Sequence, residues 1–234
     1  MTAHNLDDMD ETTRSSAVRD GLGVGIAVGL AGLAFGAAAA TAGLTVAQAC
    51  ALSVFAFTGA SQFALVGVVA GGGSLVAGTA GALLLGARNG LYGLRMADLL
   101  GVRGWRRLPV AHGVIDETTA VSLAQPDARA ARTGFFVTFA TLYLTWNATT
   151  LLGAAGVSRL ADPDVLGLDA VGPATFLAIL WPRLTGGGPD VRTLRLIAGG
   201  GAAAALATTP FTPPGVPVLI AAAAVLAVVL RRPA

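Results

Sequence analysis

An uncharged stretch of 67 residues limits what this chain can fold into more than any other feature. Residues 21–87 contain no Asp, Glu, Lys, Arg or His, and Asp20 and Arg88 mark the two ends. A soluble protein needs charged residues over its surface, so the stretch does not suit a soluble domain. One helical crossing of a bilayer needs about 20 apolar residues, so the stretch is long enough for roughly three membrane elements.

The rest of the chain repeats this pattern. Residues 133–158 and 196–230 are also uncharged, and charged residues make up 12% of the chain, against about 25% in ordinary globular proteins. We predict an all-α fold, a polytopic integral membrane helical bundle of about six or seven membrane elements. A single transmembrane domain, with the size of a transporter, is expected over residues 21–232.

The first twenty residues are polar and mixed in charge, which predicts a disordered tail. By the positive-inside rule, Arg14 and Arg19 predict a cytoplasmic N-terminus. The arginines from Arg95 to Arg107 predict the same side for the loop that contains them. Two loops on one side require an even number of crossings, whereas residues 21–100 suggest about three elements. Either residues 44–71 form a re-entrant or broken helix, which is tolerated where it lines a cavity, or the rule does not hold here.

The predicted membrane elements follow from the apolar runs and the Gly-rich turn at residues 71–74. They cover residues 21–43, 44–71, 75–100, 134–157, 165–184, 194–208 and 216–230. An internal repeat is suggested by Gly-x-x-x-Phe at Gly59 to Phe63 and again at Gly172 to Phe176. Repeated units with paired Gly or Pro interruptions are typical of secondary transporters.

Polar residues inside apolar elements are the candidate functional groups. In the second element, Ser61 and Gln62 follow Gly59, and they either bond neighbouring helices or belong to a broken helix that holds a ligand. Gly59 to Gln62 also fits the Gly-x-Ser-x of an intramembrane serine protease. That chemistry needs a His base on a neighbouring span, and His112 lies in a polar stretch, so we predict no enzymatic activity.

Charged residues next to apolar segments offer further candidates. Arg88 either reaches an interface or faces a cavity and pairs with a carboxylate or a substrate. Asp116 and Glu117 form either a solvated acidic loop or a site where one carboxylate carries a proton. Trp146 and Asn147 lie in the middle of a predicted span, where Trp146 is equally compatible with packing.

Several of these segments, in this order, resemble the AzlC family, the large subunit of bacterial branched-chain amino acid exporters. The matching segments are Phe35-Gly36, Gly43-Leu44-Thr45, Ser53-Val54-Phe55-Ala56, Gly59-Ala60-Ser61-Gln62-Phe63, Arg88 with Leu91-Tyr92-Gly93, Asp116-Glu117-Thr118, Trp146-Asn147, Gly167-Leu168-Asp169 and Pro173-Ala174-x-Phe176. The family pattern near the arginine usually reads Asn-x-Arg-His, whereas Gly86 and Asn89 stand at those positions here. A substrate different from the family's usual one is therefore an open alternative.

The resemblance implies proton-driven efflux of branched-chain amino acids, methionine or analogues across the bacterial inner (plasma) membrane. It also implies a small AzlD-type membrane subunit as partner. Together with the polar residues above, it predicts a substrate site at Gly59, Ser61, Gln62, Phe63, Arg88, Asn89, Tyr92, Trp146, Asn147 and Pro173. The predicted proton-coupling residues are Asp116, Glu117 and Asp169.

Two other functions remain open from the sequence: a membrane scaffold or assembly subunit that transports nothing, and a passive channel for small solutes. The lone Cys50 gives no disulfide framework or metal cluster. We expect no cofactor and no metal. The net charge of +2 gives no reason to expect a nucleic-acid partner.

Overall fold

A computed structural model describes residues 3–160, 184–187 and 191–212, with isolated residues between 174 and 181 and between 216 and 223. All secondary structure in these residues is helical. The helices are α1 (Ala3–Gly29), α2 (Gly32–Thr41), α3 (Val46–Phe55), α4 (Ala60–Ala70), α5 (Leu75–Leu100), α6 (Arg107–His112), α7 (Asp116–Leu123), α8 (Ala128–Val157) and α9 (Val191–Thr208), with 3-10 turns at Gly104–Arg106 and Thr209–Phe211.

Two segments of the described chain are long and apolar enough to cross a membrane. They are Glu11–Thr41, which is 31 residues long and comprises most of α1 together with α2, and Ala128–Val157, which is 30 residues long. Helix α5 has 26 residues, about 39 Å at 1.5 Å per residue. That length exceeds a hydrocarbon core of about 30 Å.

The predicted boundaries agree closely with several helices. Helix α5 spans the predicted residues 75–100, because Ser74 caps its first turn through Ala77 N–H at 3.1 Å and Gly101 ends it in the left-handed conformation. The turn at residues 71–74 is confirmed, as is the helix over 134–157, which begins six residues earlier. The predicted spans at 165–184 and 216–230 lie largely outside the described residues.

The N-terminal segment differs from its prediction. Residues 3–20 belong to α1 instead of a disordered tail. Ala17 is fully buried, and Asp20 accepts a hydrogen bond from the Gln125 side chain at 3.4 Å. Polar composition suggested disorder, but α1 packs on α7 and α8, and such tertiary contacts stabilise a helix more than its propensity does.

Helix α8 is the central packing element, since α1, α2, α3, α5 and α7 all contact it. Its closest neighbours are α1 and α2, whose facing side carries glycines: Gly21, Gly25, Gly29, Gly32 and Gly36. Small residues let helix backbones approach closely, and this is how helices associate where lipid removes the hydrophobic drive.

A kink separates α1 from α2 at the middle of this contact. The Leu33 N–H bonds the Leu30 carbonyl instead of the Gly29 carbonyl. Thr149 Oγ1 of α8 donates to the Gly29 oxygen at 2.6 Å. A side chain that inserts into the hydrogen-bond ladder of a helix is a recognised cause of a kink. Helix α8 therefore contributes to the kink between α1 and α2 as well as packing against both helices.

The second predicted element is the broken one. Helices α3 and α4 have 10 and 11 residues, about 15 Å each, so each half is about half as long as the hydrocarbon core is thick. Residues 56–59 separate the two halves. The predicted helix break is therefore present, whereas a re-entrant path stays a prediction.

Close packing of α2 on α8 should be sensitive to one added methyl group. A Cβ at Gly153 would overlap the backbone oxygen of Leu33, whereas Gly156 on the same helix has nothing within 4 Å. We expect Gly153→Ala to lower stability by about 1–3 kcal/mol through overpacking. The measurement is the thermal midpoint of the purified protein in detergent.

Gly156→Ala is the matched control and should leave the midpoint unchanged or slightly higher, because alanine favours helix over glycine. A Gly153→Ala protein as stable as the wild type would contradict the close contact.

Candidate functional site

The candidate site begins at the break between α3 and α4. Gly59 has φ +56° and ψ −89°, a conformation that residues with a Cβ rarely adopt. Space is not the constraint, because an added Cβ would meet only Trp146, at 3.9 Å. The glycine thus allows the turn by its backbone freedom, and the two helix ends face each other across four residues.

Gln62 joins the two ends of the broken helix. Its Oε1 accepts the Gly59 N–H at 3.0 Å, and its Nε2 donates to the Leu52 carbonyl of α3 at 3.1 Å. The side chain is 1% exposed. Because an amide has two N–H donors and two acceptor lone pairs, one of each remains by count. Gln62 therefore serves mainly to stabilise the break. Only its remaining N–H donor and acceptor lone pair could contact a ligand.

A cavity of about 680 Å³ lies beside the break, between the α3–α4 segment, α5 and α6. Small-molecule sites have volumes of about 300–1,000 Å³. The described residues that line it are Leu52, Phe55, Ala56, Phe57, Thr58, Ser61, Gln62, Leu65, Thr79, Ala82, Leu83, Gly86, Ala87, Asn89, Ala111, His112 and Val114. The wall is mainly apolar, with a few polar side chains gathered near the break.

Two predicted site residues lie on this wall with buried polar atoms that have no hydrogen-bond partner among the described residues. They are Ser61, through its Oγ, and Asn89, through its Oδ1. Ser61 faces Gly86 of α5, where an added Cβ would lie 3.3 Å from the hydroxyl oxygen. Buried polar groups normally have partners, so these two atoms are suited to meet a polar ligand.

Arg88 and Asp116 form an ion pair next to the cavity. Arg88 Nη2 lies 2.7 Å from Asp116 Oδ2, and the side chains are 33% and 22% exposed. The pair joins α5 to the first turn of α7, where the helix dipole favours a carboxylate. Neither side chain is among the lining residues, although Asn89 beside Arg88 is.

The loop before Asp116 is held by Thr118, which is fully buried. Its hydroxyl donates to the Gly113 carbonyl at 2.6 Å and accepts the Ile115 N–H at 3.1 Å. The start of α7 is therefore fixed by local bonds, which set the position of Asp116 relative to Arg88. Glu117 follows in the same first turn.

Three predicted site residues lie behind the break instead of on the cavity wall. Phe63 is 2% exposed and Trp146 is 4% exposed, and both pack on Phe35 at ring distances of 5.4 and 6.0 Å. Asn147 donates to the Tyr143 carbonyl of its own helix at 2.8 Å. Phe63 was predicted as a substrate-site residue, whereas its ring lies in the hydrophobic core behind the break.

Of the remaining predicted site residues, Tyr92 is described by the structure and two others are not. Tyr92 packs against the buried cluster of Met96, Leu100, Val114 and Phe135. Asp169 and Pro173 lie outside the described residues, as does most of the second copy of the suggested repeat at 172–176.

The sequence reasoning did not assign His112 and Thr58 to the site, although both line the cavity. Thr58 lies within the break next to Gly59, which was a usable signal. His112 lies 54 residues further along the chain, in a short helix of six residues. Only the tertiary fold brings it to the Val54 carbonyl, at 2.9 Å from its Nε2.

Comparison with known proteins identifies the class to which this chain belongs. Two relatives from Helicobacter pylori, strains J99 and 26695, are 30% and 28% identical to this chain over 152 residues, and both are described as uncharacterized membrane proteins. The aligned segment covers 64% of this chain, and the chain spans 66% of the length of these curated relatives. Together with the apolar helices, the similarity shows an all-helical membrane protein.

The particular family follows from a second comparison. The family model described as AzlC protein matches residues 23–160, which is more than half of the chain. The chain belongs to the AzlC family, and the resemblance seen in the sequence is confirmed. This membership suggests a function related to membrane transport. No solved structure matches the chain.

The cavity wall can be tested by thiol labelling in a Cys50→Ser background. Ser61→Cys lies on the wall, whereas Ser53→Cys is equally conservative, sits on α3 and is fully buried against Thr150. We expect a small aqueous thiol reagent to modify Ser61→Cys about tenfold faster or more, because position 61 borders the cavity, whereas a thiol at position 53 is enclosed against α8 and reacts only after local opening. The readout is the mass of the labelled protein over time.

Equal resistance of both cysteines, in membranes and under either direction of pH gradient, would mean that Ser61 is a packing residue.

Proposed function

We propose that this protein is a secondary active exporter of branched-chain amino acids, methionine or analogues, driven by protons. The observation that carries the proposal is the broken helix beside a largely apolar cavity. Gln62 stabilises this break through hydrogen bonds to both helix ends. Irregular backbone at membrane depth is tolerated where it lines a cavity, and binding sites of transporters commonly form at such breaks.

The two helix ends suit the charged part of an amino acid. At the start of α4, the N–H groups of Gln62 and Phe63 bond the Gly59 carbonyl, which leaves those of Ala60 and Ser61 without an acceptor in the helix. The N-terminus also carries partial positive charge, which favours a carboxylate. The carbonyl end of α3 favours an ammonium group for the opposite reason. Ser61 and Asn89, whose side-chain oxygens have no partner within the described part of the chain, supply further polar contacts on the same wall.

The rest of the wall suits an apolar side chain. Leu52, Leu65 and Leu83 line the cavity, while Ala82 and Gly86 leave room between them. A hydrophobic pocket distinguishes side chains that differ by one methylene only by about 1–3 kcal/mol. A site of this kind would accept several aliphatic amino acids, in keeping with a group of related substrates.

Proton coupling supplies the driving force. A zwitterion has no net charge, so the membrane potential acts only on a co-moving ion, at about 2.3 kcal/mol per 100 mV for each proton. The Arg88–Asp116 pair is the candidate coupling group, because a proton on Asp116 would change the charge of this pair beside the cavity.

The assembly and location proposed here follow the family. We propose a multi-pass protein of the inner membrane with its N-terminus in the cytoplasm, working with a small AzlD-like subunit. Transport assays should therefore be made with and without a co-expressed AzlD-like protein. A scaffold protein would move no amino acid in either case, and a passive channel would ignore the pH gradient.

Loss of the charge on Arg88 should impair transport. We expect Arg88→Gln to reduce leucine, valine or methionine efflux from loaded cells by about 10–100-fold, because a hydrogen bond to a charged group contributes about 1.5–3 kcal/mol. Arg95→Gln, an exposed arginine on the same helix, is the control and should transport normally. Near-normal efflux by Arg88→Gln, at equal membrane expression, would remove this residue from the mechanism.

Asp116 should be needed for coupling more than for substrate movement. In vesicles, we expect Asp116→Asn to abolish accumulation driven by a pH gradient while leaving leucine exchange between the two sides within about twofold of wild type. Glu117→Gln should keep coupling, since the ion pair to Arg88 uses Asp116. If both variants keep full pH-driven accumulation, the coupling group lies elsewhere, and Asp169 or the small subunit becomes the next candidate.

A further inference from the structure

His112 occupies a position on the cavity wall that no predicted role explains. It is the last residue of α6, and its Nε2 donates to the carbonyl of Val54 in the final turn of α3 at 2.9 Å. Its ring lies 5.9 Å from Phe57 and 5.8 Å from Tyr143, centroid to centroid. Three elements, α3, the break and α8, therefore hold one imidazole at the edge of the cavity.

The lining of the cavity makes this histidine distinctive. Among the described residues that line it, His112 is the one imidazole and there is no carboxylate, since Asp116 and Glu117 are not lining residues. Histidine as a residue type gains or loses a proton between about pH 5 and 8. The cavity thus has a titratable group of its own, in addition to the Arg88–Asp116 pair beside it.

The hydrogen bond to Val54 determines where a proton would bind. A carbonyl oxygen only accepts, so His112 Nε2 carries a hydrogen in both charge states. A proton taken from water in the cavity would bind at Nδ1, without breaking the bond to α3. Protonation therefore adds a positive charge to the wall and leaves the packing of the ring unchanged.

That charge would appear at the end of the broken helix that favours cations. The last carbonyls of α3 carry partial negative charge, and Val54 is one of them. The substrate ammonium proposed above is attracted to the same helix end. We propose that a proton on His112 and the ammonium group of the substrate compete for the carbonyl end of α3, so that each weakens the binding of the other.

This inference rests on the proposed function and adds a residue and an order of events to it. A protonated His112 disfavours the substrate, so the amino acid binds as the proton leaves for water and departs when a proton returns from the other side. Mutual exclusion of two ligands at one site is the basis of exchange in opposite directions, which is what a proton-driven exporter requires.

The charged and titratable groups around His112 leave it free to act in this way. Tyr143 of α8 faces the ring, and its hydroxyl donates to the Val54 carbonyl at 3.4 Å. Arg107 on the same short helix donates to the Val102 carbonyl at 2.8 Å. Asp116 of α7 and Arg88 of α5 neutralise each other, and α3 contributes only Cys50 as a titratable residue.

The first test measures equilibrium binding of radiolabelled leucine to the purified protein, with and without the proposed small subunit, between pH 5 and 8. For the wild type we expect affinity to fall as the pH is lowered, approaching about tenfold per pH unit, the limit for competition with one proton. The His112→Gln side chain places an amide N–H near Val54 but cannot become cationic. This variant should therefore bind leucine at pH 8, and its affinity should no longer fall with pH through competition with a proton at position 112. His4→Gln is the control and should match the wild type.

A purely structural role for His112 would shift affinity equally at every pH, so an unchanged pH profile in His112→Gln would overturn the inference. So would a wild-type affinity that does not depend on pH.

The second test detects the proton directly and needs no substrate. The chain has two histidines, so a His4→Gln protein with isotope-labelled histidine gives one imidazole signal by NMR. We expect that signal to titrate between about pH 5 and 8 and its midpoint to fall when leucine saturates the protein. An imidazole that stays in one charge state throughout this range would overturn the proton site.

The two tests separate the inference from the proposed function. If the wild type binds none of the amino acids at any pH, the proposed function fails and the competition fails with it, while the titration decides by itself whether His112 is a proton site.

Discussion

A broken helix within a membrane leaves backbone N–H and C=O groups that lipid does not satisfy, and each costs several kcal/mol without a partner. Gln62 meets this constraint at the break between α3 and α4 by bonding Gly59 on one side and Leu52 on the other. His112 and Tyr143 supply donors to the Val54 carbonyl, at 2.9 and 3.4 Å. The cavity exists because these side chains stabilise an interruption that a regular helix would not contain.

Helix α8 gives the break a rigid support. Its glycine-mediated contact with α1 and α2 is close enough for backbone to meet backbone, as at Gly36 and Gly153. The same helix presents Trp146 to the aromatic core behind the break and Tyr143 to the histidine beside it. Residues that resembled binding groups in the sequence, Phe63 and Trp146 among them, thus support the site from the core, while Ser61 and Asn89 lie on its wall.

Two titratable groups flank the cavity in different ways. Arg88 and Asp116 are paired across α5 and α7 next to it, where protonation of the carboxylate would free a cation. His112 lies on the wall itself, where protonation would add a cation next to the carbonyl end of α3. Both are therefore candidate proton sites for the proposed transport, the pair beside the cavity and the histidine on its wall.

Local sequence determined the helical class, the break and most of the boundaries. The 67 uncharged residues, the Ser74 and Gly101 caps of α5 and the glycine at position 59 act through propensity, hydropathy and backbone freedom, which need no knowledge of distant residues. The contacts that define the site join residues far apart in the chain. Arg88 meets Asp116, and Val54 meets His112 across 58 positions. The sequence pattern identified Arg88 and Asp116 as candidates without pairing them, and it gave His112 no role in a transport site. Only the packing of α5, α6 and α7 around the break decided which of the polar residues face the cavity, because a side chain's direction depends on the helices placed beside it.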